Sequence, residues 1–355
     1  MKKLLTLTAI FFIAQYNVNA QGCVAIKGTA GICSKPSDAK GWELNLNNRY
    51  FKSYKHFVGT EEQTQRVDQG TNVINHSYEL DITATRTINL RWSLAMTLPI
   101  MDFKRSSLYE HGNAGRFSTG SFGIGDARFS AYRWMFDPKT SHKGNVQLGL
   151  GIKLPTGNYN YQDYFHTAKT DSLTFGPVDQ SIQPGDGGTG ITLEVNSFYN
   201  FSHKLGVYGS FFYLSNPREV NGTSTTRGGV ASATTKKYNT DIMSVPDLFM
   251  TRAGVSYMVK KFNFAGGVRI EGLPSKDIIG GSRGFRRPGY IVSGEPSVTY
   301  VAKKVSFNVA VPFALKRNRT QSDADKRQTA DTGAYKQGDA AFADYLISAG
   351  MTFKL

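Results

Sequence analysis

Leu90-Arg91-Trp92-Ser93-Leu94-Ala95-Met96-Thr97-Leu98 alternates large apolar residues with small or polar ones, without a break. Side chains on a strand point to opposite faces in turn, so the even positions from Leu90 to Leu98 share one apolar face. The same period returns in Val146, Leu148, Leu150, Ile152 and Leu154, set against Gln147, Gly149, Gly151 and Lys153. It returns again in Val305, Phe307, Val309, Val311, Phe313 and Leu315, against Ser306, Asn308 and Ala310. The final stretch, Tyr345, Ile347, Ala349, Met351, Phe353 and Leu355, carries it to the last residue.

Five or six apolar positions on one face make strands of ten or more residues, against a usual ~5–6 in globular proteins. Twelve such segments are expected, at 42–54, 73–85, 88–101, 121–136, 144–157, 189–201, 205–216, 247–259, 262–273, 288–301, 304–316 and 339–355. The connections between them alternate short and long. That alternation, with an even strand count, is the pattern of a transmembrane antiparallel up-and-down β-barrel, with short turns on one rim and long loops on the other. The count rises to fourteen if Tyr159 to Phe165 and part of 218–246 pair as a further hairpin. Both termini are expected in the periplasm and the long loops outside the cell.

Composition agrees. The 355 residues are 40% hydrophobic and 19% charged, and past the leader nothing approaches the ~20 consecutive apolar residues of a membrane helix. The 37 glycines have no period and there are only 12 prolines, while Tyr and Phe contribute 18 and 23 residues. Collagen, coiled coil and disordered tail are thereby excluded.

Residues 1–20 read as a secretory signal peptide: basic Lys2-Lys3, the apolar run Leu4 to Ala14, and a small-residue cleavage site at Val18-Asn19-Ala20. Removing them takes the net charge from +15 to +13, because two lysines and no acids are lost. Ala20-Gln21-Gly22 is a poor lipidation box, so simple cleavage is expected. Cys23 and Cys33, the only cysteines, read as one disulfide in an exported chain. They fall in a short polar segment, 21–40, expected in the periplasm or in the barrel mouth. Residues 41–355 form the barrel, a single domain of the bacterial outer membrane.

With the apolar register facing lipid, the alternate residues define the lumen. Glu43, Arg49, Glu79, Asp81, Arg91, Asp126, Arg128, Lys153, Glu194, Arg252, Arg269, Glu271, Glu295 and Asp344 then point inward. Eight acids and six bases leave that interior near neutral, so mixed-sign pairs are expected rather than a one-signed ring. Asp126, Arg128, Lys153, Arg252, Arg269, Glu271 and Glu295 are the principal lumen-lining candidates. Trp92, Trp134, Tyr199, Tyr213, Tyr257, Tyr290, Tyr300 and Tyr345 suit interface girdles. Phe51, Tyr132, Tyr208 and Phe212 take the inward register and are candidates to line an apolar path.

Arg283, Arg286 and Arg287 form a basic loop cluster suited to lipopolysaccharide phosphates, or to pairing with Asp277. No stacking motif accompanies them, so nucleic acid is not an expected partner. The six histidines are scattered. His76 and Ser77 are adjacent on a strand, so they face opposite ways and cannot act as a catalytic pair. No zinc spacing appears, and Asp323-Ala324-Asp325 and Pro184-Gly185-Asp186-Gly187-Gly188 read as polar turns. No catalytic residue, metal or cofactor is expected.

Gly123-Ile124-Gly125-Asp126, followed by Gly149-Leu150-Gly151-Ile152-Lys153-Leu154-Pro155-Thr156-Gly157, resembles the outer-membrane proteins named for the meta pathway of phenol degradation. Those proteins are related in architecture to the hydrophobic-compound channels typified by the long-chain fatty acid transporter. Gly284-Phe285-Arg286-Arg287-Pro288-Gly289-Tyr290 and Gly338-Asp339-Ala340-Ala341-Phe342-Ala343-Asp344-Tyr345 resemble transporters of Bacteroidetes-type bacteria. The resemblance implies a barrel that takes up poorly soluble, hydrophobic or aromatic compounds without covalent chemistry. The Asn-Pro-Ala signature and long hatch of the fatty acid channels have no counterpart in this sequence. Two rival readings remain: a structural or adhesive barrel with a filled lumen, and a barrel enzyme acting on lipid. Outer-membrane lipid, lipopolysaccharide and a small solute are the expected partners, and a monomer is the expected state.

Overall fold

The computed structural model describes residues 41–167 and 172–355. The expected signal peptide and the Cys23–Cys33 pair lie outside the described residues. The chain begins with β1 (Gly41–Val58), the two-residue β2 (Glu61–Glu62), β3 (Ile74–Thr87), β4 (Trp92–Ser107), β5 (Phe117–Ile124), β6 (Arg128–Trp134) and β7 (Gly144–Lys153). It continues with β8 (Gln162–His166), β9 (Leu173–Pro177), β10 (Gly190–Asn200), β11 (Leu205–Ser215), β12 (Val220–Ser224), β13 (Ile242–Ser244) and β14 (Leu248–Val259). It ends with β15 (Phe262–Leu273), β16 (Gly289–Val301), β17 (Val305–Ala310), β18 (Phe313–Arg319) and β19 (Ala340–Lys354).

Neighbouring strands pair antiparallel, and β19 closes on β1, so the barrel has no free edge. β5 with β6, and β17 with β18, each occupy one position, which makes twelve around the barrel. The seam between β1 and β19 is stitched from inside: Asn45 donates to the Thr352 hydroxyl at 2.8 Å, and Ser348 donates to Asn47 at 3.0 Å. Fourteen strands are not formed. β8–β9 and β12–β13 do pair, but as separate two-stranded sheets inside the long loops.

The expected register holds through the wall. Leu94, Met96, Leu150, Ile152, Leu193, Val255, Phe264 and Val268 are exposed on the outer surface, while Thr97, Lys153, Arg252 and Arg269 are buried inside. On the short-turn rim, Arg86 lies over Trp42 at 5.4 Å and Arg133 over Trp92 at 5.5 Å. Exposed Tyr199, Tyr257 and Phe262 extend that girdle, and Tyr50, Tyr78 and Tyr345 stand on the loop side. Trp134 is the exception. It is buried and packs edge-on against Phe198, because it falls on the inward register of β6.

The wall is interrupted where the resemblance motifs meet. Between β5 and β6, Gly125-Asp126-Ala127 lies opposite only Leu98 and Pro99 of β4, so the strand carries one extra residue. Pro99 has no N–H to give, and its carbonyl accepts from Gly125 N at 2.8 Å. Gly125 leaves room for its neighbours, since a Cβ there would stand 2.7 Å from Met101 Cε and 2.9 Å from Pro99 Cγ and would make those side chains shift. Thr156 then substitutes for a strand: its hydroxyl accepts from Ala127 N and donates to Gly125 O, both at 2.8 Å. That is why β7 ends at Lys153 rather than at 157. The second break falls at Val311-Pro312, between β17 and β18.

β1 and β4 run 18 and 16 residues, so the barrel stands taller on their side than the apolar alternation predicts. Beyond Ile100 the outward positions of β4 turn polar, as Asp102 and Lys104, while the inward Met101, Phe103 and Arg105 continue.

Candidate functional site: the barrel lumen

Register stacks the inward side chains of β1, β3 and β4 in tiers. Arg49, Glu79 and Met101 lie side by side; Phe51, Ser77 and Phe103 form the next tier toward the loops; Ser53, Asn75 and Arg105 form the third. Successive tiers are two residues apart, about 7 Å along the strand. The three tiers differ in chemistry, and the rest of the lumen follows them.

The first tier belongs to a belt of buried charges across the barrel. Arg49 pairs with Glu79 at 2.5 Å and Asp81 at 3.3 Å. Arg269 pairs with Glu271 at 2.6 Å and with Glu295 at 3.4 Å, and Arg252 reaches Glu295 at 3.5 Å. Glu271 also interacts electrostatically with Arg49, from a strand four places away round the barrel. Tyr132 donates to Glu194 at 2.9 Å, and the Arg128 guanidinium lies 5.5 Å from the Phe212 ring. A carboxylate in such a place is tolerable only with its partner in contact, and here each is paired.

The second tier opens into a cavity of about 170 Å³. Phe51, Met101, Phe103, Phe212, Leu214, Met243, Leu248 and Leu273 give it apolar walls; Arg49, Glu79 and Arg128 form its floor. Its side toward the wall break is polar. Lys153 hydrogen-bonds Asp186 and stands 3.5 Å from Asp126, which also accepts from Gly157 N at 3.0 Å and Asp186 N at 3.1 Å. Gly157 and Gly185 touch backbone to backbone, and a Cβ on Gly185 would lie 2.5 Å from Gly157 O.

The third tier anchors a roof made by the loops. Arg105 bonds Asn75 at 3.0 Å, Glu110 at 2.9 and 3.0 Å, and approaches Asp179 at 3.5 Å. Arg227 joins Glu110 at 2.8 Å, and Arg287 forms a two-pronged pair with Asp179. Burial pushes the Asp179 carboxyl up, but Arg105 and Arg287 outweigh it and hold it well below the usual range. Burial likewise raises the Glu110 carboxyl, and Arg105 with Arg227 brings it below the ordinary value. Beside them, His111 is buried; its Nδ1 accepts from His166 N at 3.1 Å. Burial lowers its pKa, which favours the neutral imidazole.

Of the charged residues expected inside, Asp126, Arg128 and Lys153 border the cavity, and Arg252, Arg269, Glu271 and Glu295 build the belt. Arg91 does not join them; it is exposed on a turn beside Asp137. Glu43 sits at the rim near Lys354, and Asp344 pairs with Lys55 and Arg317 at a bulge. Phe51 and Phe212 line the cavity and Tyr132 faces Glu194.

The loop arginines are placed otherwise than a lipopolysaccharide contact requires. Arg286 is fully buried against Asp277 at 2.7 Å, and Arg287 is committed to Asp179. Only Arg283 is exposed; its N–H donates to Glu219. Folding the loop into the mouth draws these arginines inward to satisfy buried carboxylates.

The roof residues Arg105, Glu110, Asp179 and Arg227 escape the sequence reading. Arg105 was legible as the continuation of the inward register past Met101 and Phe103. The others lie in irregular loops, where no periodicity marks them. His76 and Ser77 face opposite ways, one exposed and one lining the cavity. Among the described residues, no group of three or more His, Cys, Asp or Glu is arranged to hold a metal ion, and no helix is long and apolar enough to cross a membrane.

No family model matches the sequence, and no curated protein matches it. Among solved structures, the COG4313 outer membrane channel from Pseudomonas putida F1 is similar with a TM-score of 0.60, covering 92% of this chain and 99% of that one at 10% identity. The translocator domain of the autotransporter NalP from Neisseria meningitidis gives 0.47 over 90% and 91% at 11% identity. The Ralstonia pickettii toluene transporter TbuX gives 0.44 over 95% and 97% at 11% identity. The first of these shares the fold, a closed antiparallel β-barrel.

Proposed function

We propose that this protein is an outer-membrane channel that passes small apolar or single-ring aromatic molecules through a compartment in its lumen, without covalent chemistry. The observation that carries the reading is the apolar cavity between the loop roof and the charge belt. Its 170 Å³ is close to the ~150 Å³ of an apolar cavity that holds benzene. A wide, wet, one-signed pore would instead suit ions or sugars. In this reading the long loops face outside the cell, and a solute enters beneath the roof and leaves past the belt.

Liposome swelling and planar-bilayer conductance with graded solutes test it. Entry of benzene- and phenol-sized solutes that saturates, with exclusion of disaccharides, is the expected result. Passage of sugars at the same rate as aromatics would refute it. The charge belt below the cavity and the ion-paired loops above it favour a second reading, a structural barrel with functional loops, for which no solute would pass.

A further inference from the structure

Lys52, His76 and Lys104 lie side by side on β1, β3 and β4. All three are exposed on the outer face. The row immediately below them, toward the short-turn rim, is Tyr50, Tyr78, Asp102 and Phe122, also in register. From girdle residue Trp42 to Tyr50 is eight residues on one face, which at ~3.3 Å per residue and a tilt near 40° spans about 20 Å of membrane. The basic row therefore stands one same-face step beyond the aromatic edge, at the height of lipid headgroups.

We infer that this row docks the phosphates of outer-leaflet lipopolysaccharide. Adjacent strands are about 4.8 Å apart, so the row presents two ammonium groups and an imidazole along a line short enough for one headgroup. His76 is held in place by the Tyr50 hydroxyl, 2.8 Å from Nδ1. Lys52 lies over the Tyr54 ring at 5.0 Å. The acids nearby do not cancel the row: Asp344 is engaged by Lys55 and Arg317, and Asp102 sits one step down on β4. Lysines serve phosphates as point charges. The row also supplies what Arg286 and Arg287 cannot, since both are buried in ion pairs. The inference rests on the loop rim facing outward, as proposed above.

The test is a titration of the full-length protein in neutral detergent with bis-phosphorylated lipid A and with its dephosphorylated form, read by native mass spectrometry. The phosphorylated lipid should bind about tenfold more tightly. K52Q/K104Q should abolish that preference and keep heat-modifiable folding; K260Q/K261Q, on a turn at the far rim, should retain it. Equal binding of the two lipids to the wild type, or an undiminished preference in K52Q/K104Q, overturns the inference. Should that variant fail to fold, the wild-type preference is followed with salt; a preference that salt does not weaken is equally fatal. Protease cleavage of intact cells at the short turns would overturn the orientation instead, leaving the detergent titration unaffected.

Discussion

Arg287 and Asp179 meet across the mouth of the barrel, Arg287 Nη1 donating to Asp179 Oδ1 at 2.9 Å, although 108 residues separate them. Asp179 also faces Arg105, from the wall. One carboxylate thus ties the loop after β9 and the loop before β16 to strand β4.

Asp179→Asn should loosen this roof, because it leaves two buried guanidinium groups short of a carboxylate. Removing one partner of such a pair costs about 3–5 kcal/mol. The barrel wall does not depend on it, so the lost energy should appear as opening. Single-channel conductance in planar bilayers should rise severalfold over the wild type, with heat-modifiable folding retained. Unchanged conductance would mean that the roof does not limit passage.

Below the cavity, Arg269→Ala with Glu271→Ala removes one charge of each sign from the belt. Conductance should rise while ion selectivity stays nearly constant. A fall in stability with no change in permeability would make the belt a filler of a closed barrel.

Thr156→Val should weaken the wall itself. Ala127 N–H and Gly125 C=O lose the hydroxyl that satisfies them, and an unsatisfied buried group costs about 1–3 kcal/mol. Urea unfolding followed by tryptophan fluorescence should show a lower midpoint, and Thr156→Ser should restore it. Equal midpoints for Val and Ser would show that the hydroxyl is dispensable.

Acid should loosen the hairpin β8–β9. His111 has a lowered pKa in the folded loop, so the open loop takes up a proton that the closed one refuses. The closing energy is complete above the unperturbed ~6.5 and is lost as pH falls from there toward the lowered value. Protonation also removes the acceptor for His166 N. Glu110 favours the charged form, and Arg227 opposes it. Hydrogen-exchange protection of residues 162–166 should drop as pH falls below about 6.5, and His111→Phe should remove that dependence.

What the sequence made legible divides along the membrane. Leu94, Met96, Leu150 and Ile152 must face lipid, so alternation located all twelve strands and placed Arg252, Arg269, Glu271 and Glu295 inside. Outside the membrane that constraint lapses. Asp102 and Lys104 end the apolar pattern although β4 continues, and strand ends there were set too short. In the loops nothing periodic remains: Arg287 and Asp179 find each other through tertiary folding, which spacing does not encode. The Gly125–Thr156 contact lies between these extremes. Its motifs were recognisable in the chain, but their shared role at one break in the wall emerges only in three dimensions.

The inner stitching of the barrel has a bearing on assembly. Asn47 and Ser348 are 301 residues apart in sequence, so their bond forms only when the circle is complete. Loop-closure entropy makes such contacts late and slow. Yet a slip by one residue at that stage would turn the amides of Asn45 and Asn47 toward lipid and part them from their hydroxyl partners. The two ends of the wall therefore verify each other's alignment, and a misthreaded cylinder lacks the small polar clasp that locks a correct one.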